Sequence, residues 1–287
     1  MPRFGHSLTG FVNRSTTVIV FGAIISAMLG SLPSGRAAEG PGYDDTPRLP
    51  NSPWLVHDRR RPQPPMVEAG KKPGAPPADA TVLFDGKDLS QWQGGNPSGV
   101  ENGCINILKT GEIRTKRSFG DCQLHVEWAT PAVADGDLMN WGNSGVFFLA
   151  KREPPVNGSH SNATDGHELQ IIESHDSKIY ADGIAGAIYG QAPPLVNAAR
   201  QPGQWQTFDA VFTAPRFKGK KLVQPAYFTV FWNGLLVQYH KASLGPSMHR
   251  TLATYDSQET SGPIRLQEHH SAVRFRNIWV RPLKLDP

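Results

Sequence analysis

Tyr227-Phe228-Thr229-Val230-Phe231-Trp232-Asn233-Gly234-Leu235-Leu236-Val237-Gln238-Tyr239 is the stretch that decides the fold. Two runs of aromatic, β-branched and aliphatic residues flank an Asn-Gly pair. That pair readily takes the positive φ angles of a two-residue turn whose twist matches paired strands. The stretch therefore predicts a β-hairpin.

Outward from the hairpin the same alternation recurs in short segments, at 123–128, 145–149, 168–172, 205–212, 226–232, 235–240, 264–269 and 273–280. Successive side chains of a strand point to opposite faces, so each segment offers one apolar and one polar edge. Glycine and proline separate the segments, and residues 80–287 contain neither a long helical pattern nor an internal repeat. This is the pattern of an antiparallel, all-β sandwich or barrel, and about two hundred residues suffice for one domain with a sizeable core.

Two segments precede that domain. Arg3 and Arg14 lead into an apolar run over 18–29, and Gly35-Arg36-Ala37 supplies the small residues of a cleavage site, so 1–37 reads as a signal peptide. The run is short for a bilayer span, which makes an uncleaved anchor the lesser alternative and a secreted or periplasmic protein the expectation. Residues 38–79 are crowded with proline and read as a strap or linker. An oxidising compartment would allow Cys104 and Cys122 to pair, although two buried thiols suit the sequence equally.

Charge excludes one class of partner. The chain carries a formal +4, but from residue 80 onward 20 Lys and Arg face 19 Asp and Glu, 20 − 19 = +1. Arg59-Arg60-Arg61 and the leader hold the excess, so no basic face is expected to bind nucleic acid.

The chemistry concentrates in His167-Glu168-Leu169-Gln170-Ile171-Ile172-Glu173. Glu168 and Gln170 share one strand face, and a bulge at Ile171-Ile172 would return Glu173 to it. Two carboxylates along one groove are the equipment for cutting a sugar bond, one protonating the leaving oxygen and the other acting as base or nucleophile. The plain alternative is a half-exposed strand with a solvated polar face. If neighbouring strands extend the groove, His125 and Glu127 join from one, Asn143 from the start of another, and Gln267 and His269 from a third that also carries Arg265. Arg276 can serve either a ligand or the protein. Gly145 permits close approach of a ligand or backbone. Tyr189 and Trp141 are the aromatic residues most able to reach a sugar face, whereas Trp205 and Trp232 fit a core.

Other chemistries find less support. Adjacent pairs such as His269-His270 point to opposite faces, and neither His-x-His nor Cys-x-x-Cys occurs, so no zinc site is expected. A calcium or other divalent ion held by carboxylates and loop carbonyls would leave little sequence trace. Ser144 lacks the strand-to-helix elbow of a nucleophilic serine and reads as a turn residue.

Taken in order, Leu83-Phe84-Asp85-Gly86-Lys87-Asp88-Leu89-Ser90-x-Trp92, Gly142-Asn143-Ser144-Gly145-Val146, Glu168-Leu169-Gln170, Gly186-Ala187-Ile188-Tyr189, Gly203-x-Trp205, Asn233-Gly234, Gly262-Pro263-Ile264-x-Leu266-Gln267 and Phe275-Arg276-Asn277-Ile278 resemble the 3-keto-disaccharide hydrolase family over nearly all of 81–283. The resemblance implies a two-sheet antiparallel β-sandwich, a jelly roll of the concanavalin A-like kind. It also implies a 3-keto-glycoside substrate and an oxidoreductase partner that makes the ketone. Glu168-x-Gln170-x-x-Glu173 is similar to the acid-x-Asp-x-x-acid strand of laminarinase-type glucanases, but Gln170 replaces the aspartate and puts double displacement in doubt. A ketone at carbon 3 acidifies the hydrogen on carbon 2, so a base can remove it and the enolate can expel the oxygen on carbon 1. The expected assignment makes Glu168 the base, His269 or Glu173 the acid, and Gln170, Asn143 and Gln267 hydrogen-bond donors, with Tyr189, His125, Glu127 and Arg276 as further substrate contacts. No cofactor is required. A non-catalytic carbohydrate-binding module is the competing expectation, since one jelly roll serves both roles.

Overall fold

A computed structural model of the chain describes residues 42–151, 166–255 and 257–285. The expected signal peptide, 1–37, lies outside the described residues. The chain divides into two compact units at Pro65/Met66. The described part of the first, 42–65, is tied together by bridges between Tyr43 and Asp58 and between Arg48 and Leu55. Asp58 accepts from the amides of Leu55 (3.2 Å) and Arg60 (2.9 Å).

The second unit holds fifteen strands among its described residues: β1 (Thr81–Phe84), β2 (Trp92–Gly94), β3 (Val100–Glu101), β4 (Cys104–Asn106), β5 (Ile113–Thr115), β6 (Cys122–Ala129), β7 (Ser144–Phe148), β8 (His167–Ile171), β9 (Gln206–Thr213), β10 (Arg216–Lys218), β11 (Lys221–Gln224), β12 (Tyr227–Trp232), β13 (Leu235–Ala242), β14 (Arg265–Leu266) and β15 (Arg274–Pro282). The larger sheet runs β13-β12-β9-β6-β15-β4-β3 with β1 also on β15, and the smaller runs β2-β5-β14-β7-β8; every pairing is antiparallel. The result is the expected all-β sandwich, with neither sheet closed into a barrel. No helix among the described residues is long and apolar enough to cross a membrane.

Alternation explains the core. Leu124, Val126 and Trp128 of β6, Phe208, Ala210 and Phe212 of β9, and Phe228, Val230 and Trp232 of β12 face inward from the larger sheet. Val146 and Phe148 of β7, Leu169 and Ile171 of β8, and Leu266 of β14 meet them from the smaller. Phe148 stacks on Phe212 at 4.6 Å and meets Phe228 edge-on at 5.4 Å, which joins the two sheets. With odd positions of β8 committed to this core, Glu168 and Gln170 must take the outer face.

The Asn-Gly hairpin forms as predicted, with Asn233 at φ 52° and Gly234 at φ 82°. Asn233 also braces the sheet through its side chain, accepting from the Thr207 amide (2.9 Å) and donating to Ala198 O (2.8 Å) and Gln206 Oε1 (2.7 Å). Asn233→Ala removes these bonds and the residue that best tolerates the turn. A loss of about 2 kcal/mol in urea unfolding is expected.

Two expectations need adjustment. The segment 264–269 is a strand only at Arg265–Leu266, because Glu268 Oε1 accepts from the His270 amide (2.6 Å) and turns the chain, with His270 at φ 59°. Trp205 is half-buried rather than in the core, with the Arg276 guanidinium 3.9 Å above its ring. Cys104 and Cys122 are free thiols. β15 separates their strands, with Cys122 opposite Pro282 and Cys104 next to Ile105, which faces Phe275.

Candidate active site

The outer face of the smaller sheet carries a row fixed by strand register. Glu168 pairs with Phe147, Phe147 with Arg265, Arg265 with Arg114, and Arg114 with Gln93. Cross-strand partners share a face, so the row reads carboxylate, aromatic ring, guanidinium, guanidinium. The Arg265 guanidinium lies 3.5 Å from the centroid of Phe147. Glu112 joins the two arginines, one oxygen bonded to Arg114 Nη1 and the other 2.5 Å from Arg265 Nη1. Arg114 also donates through Nε to Lys151 O (3.0 Å).

Glu168 is 6% exposed. Burial disfavours its ionised form and raises its pKa to about 8, while the positive charge of Arg265 pulls the other way. The site thus holds a carboxyl group that exchanges its proton near neutrality, as a general base requires.

Gly145 makes room for that carboxyl. A Cβ at this position would stand 2.5 Å from Glu168 Oε1 and 2.9 Å from Phe147 Cε2. The glycine therefore serves the close approach of a protein group, a role the sequence left open between ligand and backbone. Gly145→Ala is expected to turn the carboxyl aside and cut kcat/KM by about a hundredfold, since small misplacements at a reacting centre are costly. The thermal midpoint should shift far less than the activity.

The edge of β8 is covered by a chain segment instead of solvent. Leu169 bridges Ile188, Gln170 N donates to Ala187 O (3.0 Å), and Tyr189 N donates to Glu168 O (3.2 Å). This antiparallel register sets Tyr189 beside Glu168 on the same face. The Tyr189 hydroxyl lies 3.0 Å from Tyr180 Oη and 2.8 Å from His249 Nδ1. In the next row Gly145 lies between Gln170 and Gln267, whose amide donates to Gly145 O (3.0 Å). Gln170 Oε1 accepts from the Ile171 amide (3.0 Å), which leaves its NH2 to donate.

The structure therefore brings together Glu168, Gln170, Gln267 and Tyr189, and engages Glu173, His125, Glu127 and Arg276 elsewhere. The β7–β8 register runs without a shift from Ser144↔Ile171 to Phe148↔His167, so the bulge expected to return Glu173 to the Glu168 face is absent from the paired region. Past the end of β8, Glu173 instead accepts from Thr130 Oγ1 (2.5 Å) and the His175 amide (2.8 Å). It lines a small pocket with Leu138, Trp141, His175, Asp176, Ser177 and Pro202. Asn143 spends its amide closing its own loop, donating to Met139 O (2.7 Å). His269 follows Gln267 in the turn after β14 and meets the His270 ring edge-on at 5.9 Å.

His125, Glu127 and Arg276 are on the other sheet and cannot share a groove with Glu168. Leu124, Val126 and Trp128 fill the core, so alternation sends His125 and Glu127 to the outer face of the larger sheet, on the opposite side of the sandwich. There His125 Nδ1 lies 2.7 Å from Asp209 Oδ1 and its ring stacks on Trp279. Arg276 Nε donates to Glu127 Oε2 (2.6 Å). A bulge at Asn277, φ 45°, lets Asn277 Nδ2 and Trp279 Nε1 both donate to Gly74 O, at 2.8 and 2.9 Å. These polar residues hold the end of the proline-rich segment against their own sheet.

The sequence reading missed Arg114, Glu112, Phe147, Tyr180 and His249 as site components. Parity had grouped Arg265 with Gln267 and His269, and that was the available signal for it. Among the described residues no group of three or more His, Cys, Asp or Glu is gathered as a metal site.

The outer face of the smaller sheet of this β-sandwich thus carries a buried carboxyl in one row with two guanidiniums. Residues 79–281 match the 3-keto-alpha-glucoside-1,2-lyase-like domain, and the chain belongs to that family. It is 34% identical to a proposed glycosyl hydrolase from Parabacteroides distasonis, with 80% of this chain and 97% of that one covered and a TM-score of 0.67. A second proposed glycosyl hydrolase of that organism is 22% identical, with 72% and 94% covered and a TM-score of 0.52, a likeness of fold alone. No curated protein matches the chain.

Proposed function

We propose that the protein cleaves the glycosidic bond of 3-keto-α-glucosides by removing the proton on carbon 2 and eliminating the oxygen on carbon 1, with water then adding to the product. The buried Glu168 carboxyl, raised to about 8 and set across Phe147 from Arg265, carries this reading. A desolvated carboxylate of that basicity is matched to a hydrogen acidified by a neighbouring ketone. The Arg265 guanidinium and the Gln170 and Gln267 amides stand on the same face to stabilise the enolate oxygen and hold the sugar hydroxyls. The family description supports the bond and the ketone; the geometry supports proton abstraction over a two-carboxylate displacement, because Glu173 is bound to Thr130.

The substrate class requires a dehydrogenation of the carbon-3 hydroxyl upstream, hence an oxidoreductase partner. The leader expected over 1–37 would place the reaction in the periplasm or outside the cell. The purified protein should release aglycone from a 3-keto-α-glucoside and leave the parent glucoside intact, as followed by chromatography. Binding of the keto-sugar without release would instead make the domain a carbohydrate-binding module.

A further inference from the structure

Elimination from carbon 2 needs a second group, one that gives a proton to the departing oxygen. Glu173 is turned away to Thr130, as described above. Tyr189 is placed differently. Its amide donates to Glu168 O (3.2 Å), one residue beyond the Leu169–Ile188 bridge, which sets the two residues side by side. The carbon-2 hydrogen and the glycosidic oxygen are on adjacent carbons of the sugar, so a base and an acid seated side by side can reach both. Tyr189 is half-buried, while its two hydroxyl partners, Tyr180 and His249, are exposed. The Tyr180–Tyr189–His249 chain, with links of 3.0 and 2.8 Å, thus runs from beside the base to bulk water. The Tyr189 and His249 rings are also stacked, 6.4 Å apart at 16°, which holds the hydroxyl on Nδ1.

We infer that Tyr189 is the general acid of the reaction, with His249 the residue that restores its proton from solvent; this rests on the reading of Glu168 as base. The carbon-2 proton passes to the Glu168 carboxylate and the electron pair of that C–H bond becomes the carbon-1–carbon-2 double bond. The carbon-1–oxygen bond breaks, and its pair takes the Tyr189 hydroxyl proton. The phenolate regains a proton from His249 Nδ1, which exchanges through Nε2 with water, and Glu168 releases its own proton to water. Burial, the Tyr180 hydroxyl and the nearby Glu168 charge all hold the Tyr189 phenol above its ordinary range. It therefore enters each turnover protonated.

The test compares two leaving groups. Methyl 3-keto-α-glucoside needs its departing oxygen protonated, whereas 4-nitrophenyl 3-keto-α-glucoside does not. Tyr189→Phe should lower kcat on the methyl glycoside by about 10²- to 10⁴-fold, the usual worth of a general acid, and change kcat on the nitrophenyl glycoside less than tenfold. His249→Gln should fall between wild type and Tyr189→Phe on the methyl glycoside alone. Turnover of the nitrophenyl glycoside also reports that each variant is folded. Equal losses on the two substrates, or no loss on either, would overturn the assignment. Solvent deuterium at carbon 2 of the product reports Glu168 separately: if it is present in wild type while the leaving-group contrast is absent, the acid is wrong and the base stands.

Discussion

Glu168→Gln should give a folded protein that no longer cleaves a 3-keto-α-glucoside and that withstands alkaline conditions better than wild type. The loss of a general base is worth about 10²- to 10⁴-fold in rate, and the amide retains the shape that Gly145 accommodates. The stability gain follows from linkage. The carboxyl moves from 4.5 to about 8 on folding, so between those values the folded state holds a proton that the unfolded state has released. Stability from this group is complete below pH 4.5 and is lost as pH rises toward 8, to a total of about 5 kcal/mol at 1.36 kcal/mol per pH unit. Glutamine has no such dependence. Urea unfolding at pH 6 and pH 9 should show wild type weakening between the two while the variant stays level, and a parallel fall in both would contradict the buried, titrating carboxyl.

Glu112→Gln carries the second large effect. The carboxylate, itself 27% exposed, bonds guanidiniums that are 4% and 7% exposed, and removing it deletes one anionic partner from each. Losing a hydrogen bond to a charged group costs about 1.5–3 kcal/mol, and a destabilisation of that order is expected. The same change removes one negative charge beside Arg265, so that its positive charge acts more strongly on Glu168 and lowers its pKa. In wild type, kcat/KM should rise with pH and level off above about 8, where the base is ionised. In Glu112→Gln the rise should come at lower pH. Unfolding curves measure the first effect and the pH profile the second.

The sequence made the sandwich legible where periodicity is long and one-sided. β6, β9, β12 and β15 each carry an apolar face that can only be a core face, and Asn233-Gly234 fixed the hairpin. The short strands β1 to β5 lacked that signal, since two to four residues cannot show a period. The site was half legible for a related reason. Alternation correctly set Glu168 and Gln170 on one face and grouped Gln267 with Arg265, and the place of Tyr189 after Gly186-Ala187-Ile188 marked it as free to reach a ligand. Alternation could not tell which sheet a polar strand face belongs to, so His125, Glu127 and Arg276 were gathered into a groove from the wrong side of the sandwich. Nor does a sequence show that an unshifted register carries Glu173 past the strand end to Thr130. Arg114 and Glu112 come from β5 and the residue before it, too short a strand to announce its outer face.

Deuterium at carbon 2 tests the role of Glu168 most directly. During turnover of a 3-keto-α-glucoside in heavy water, wild type should place solvent deuterium on carbon 2 of the keto-sugar product, and Glu168→Gln should place none. Cleavage by wild type that retains the original carbon-2 hydrogen, with no rate change on deuterating that position, would contradict proton abstraction and the assignment of Glu168 with it.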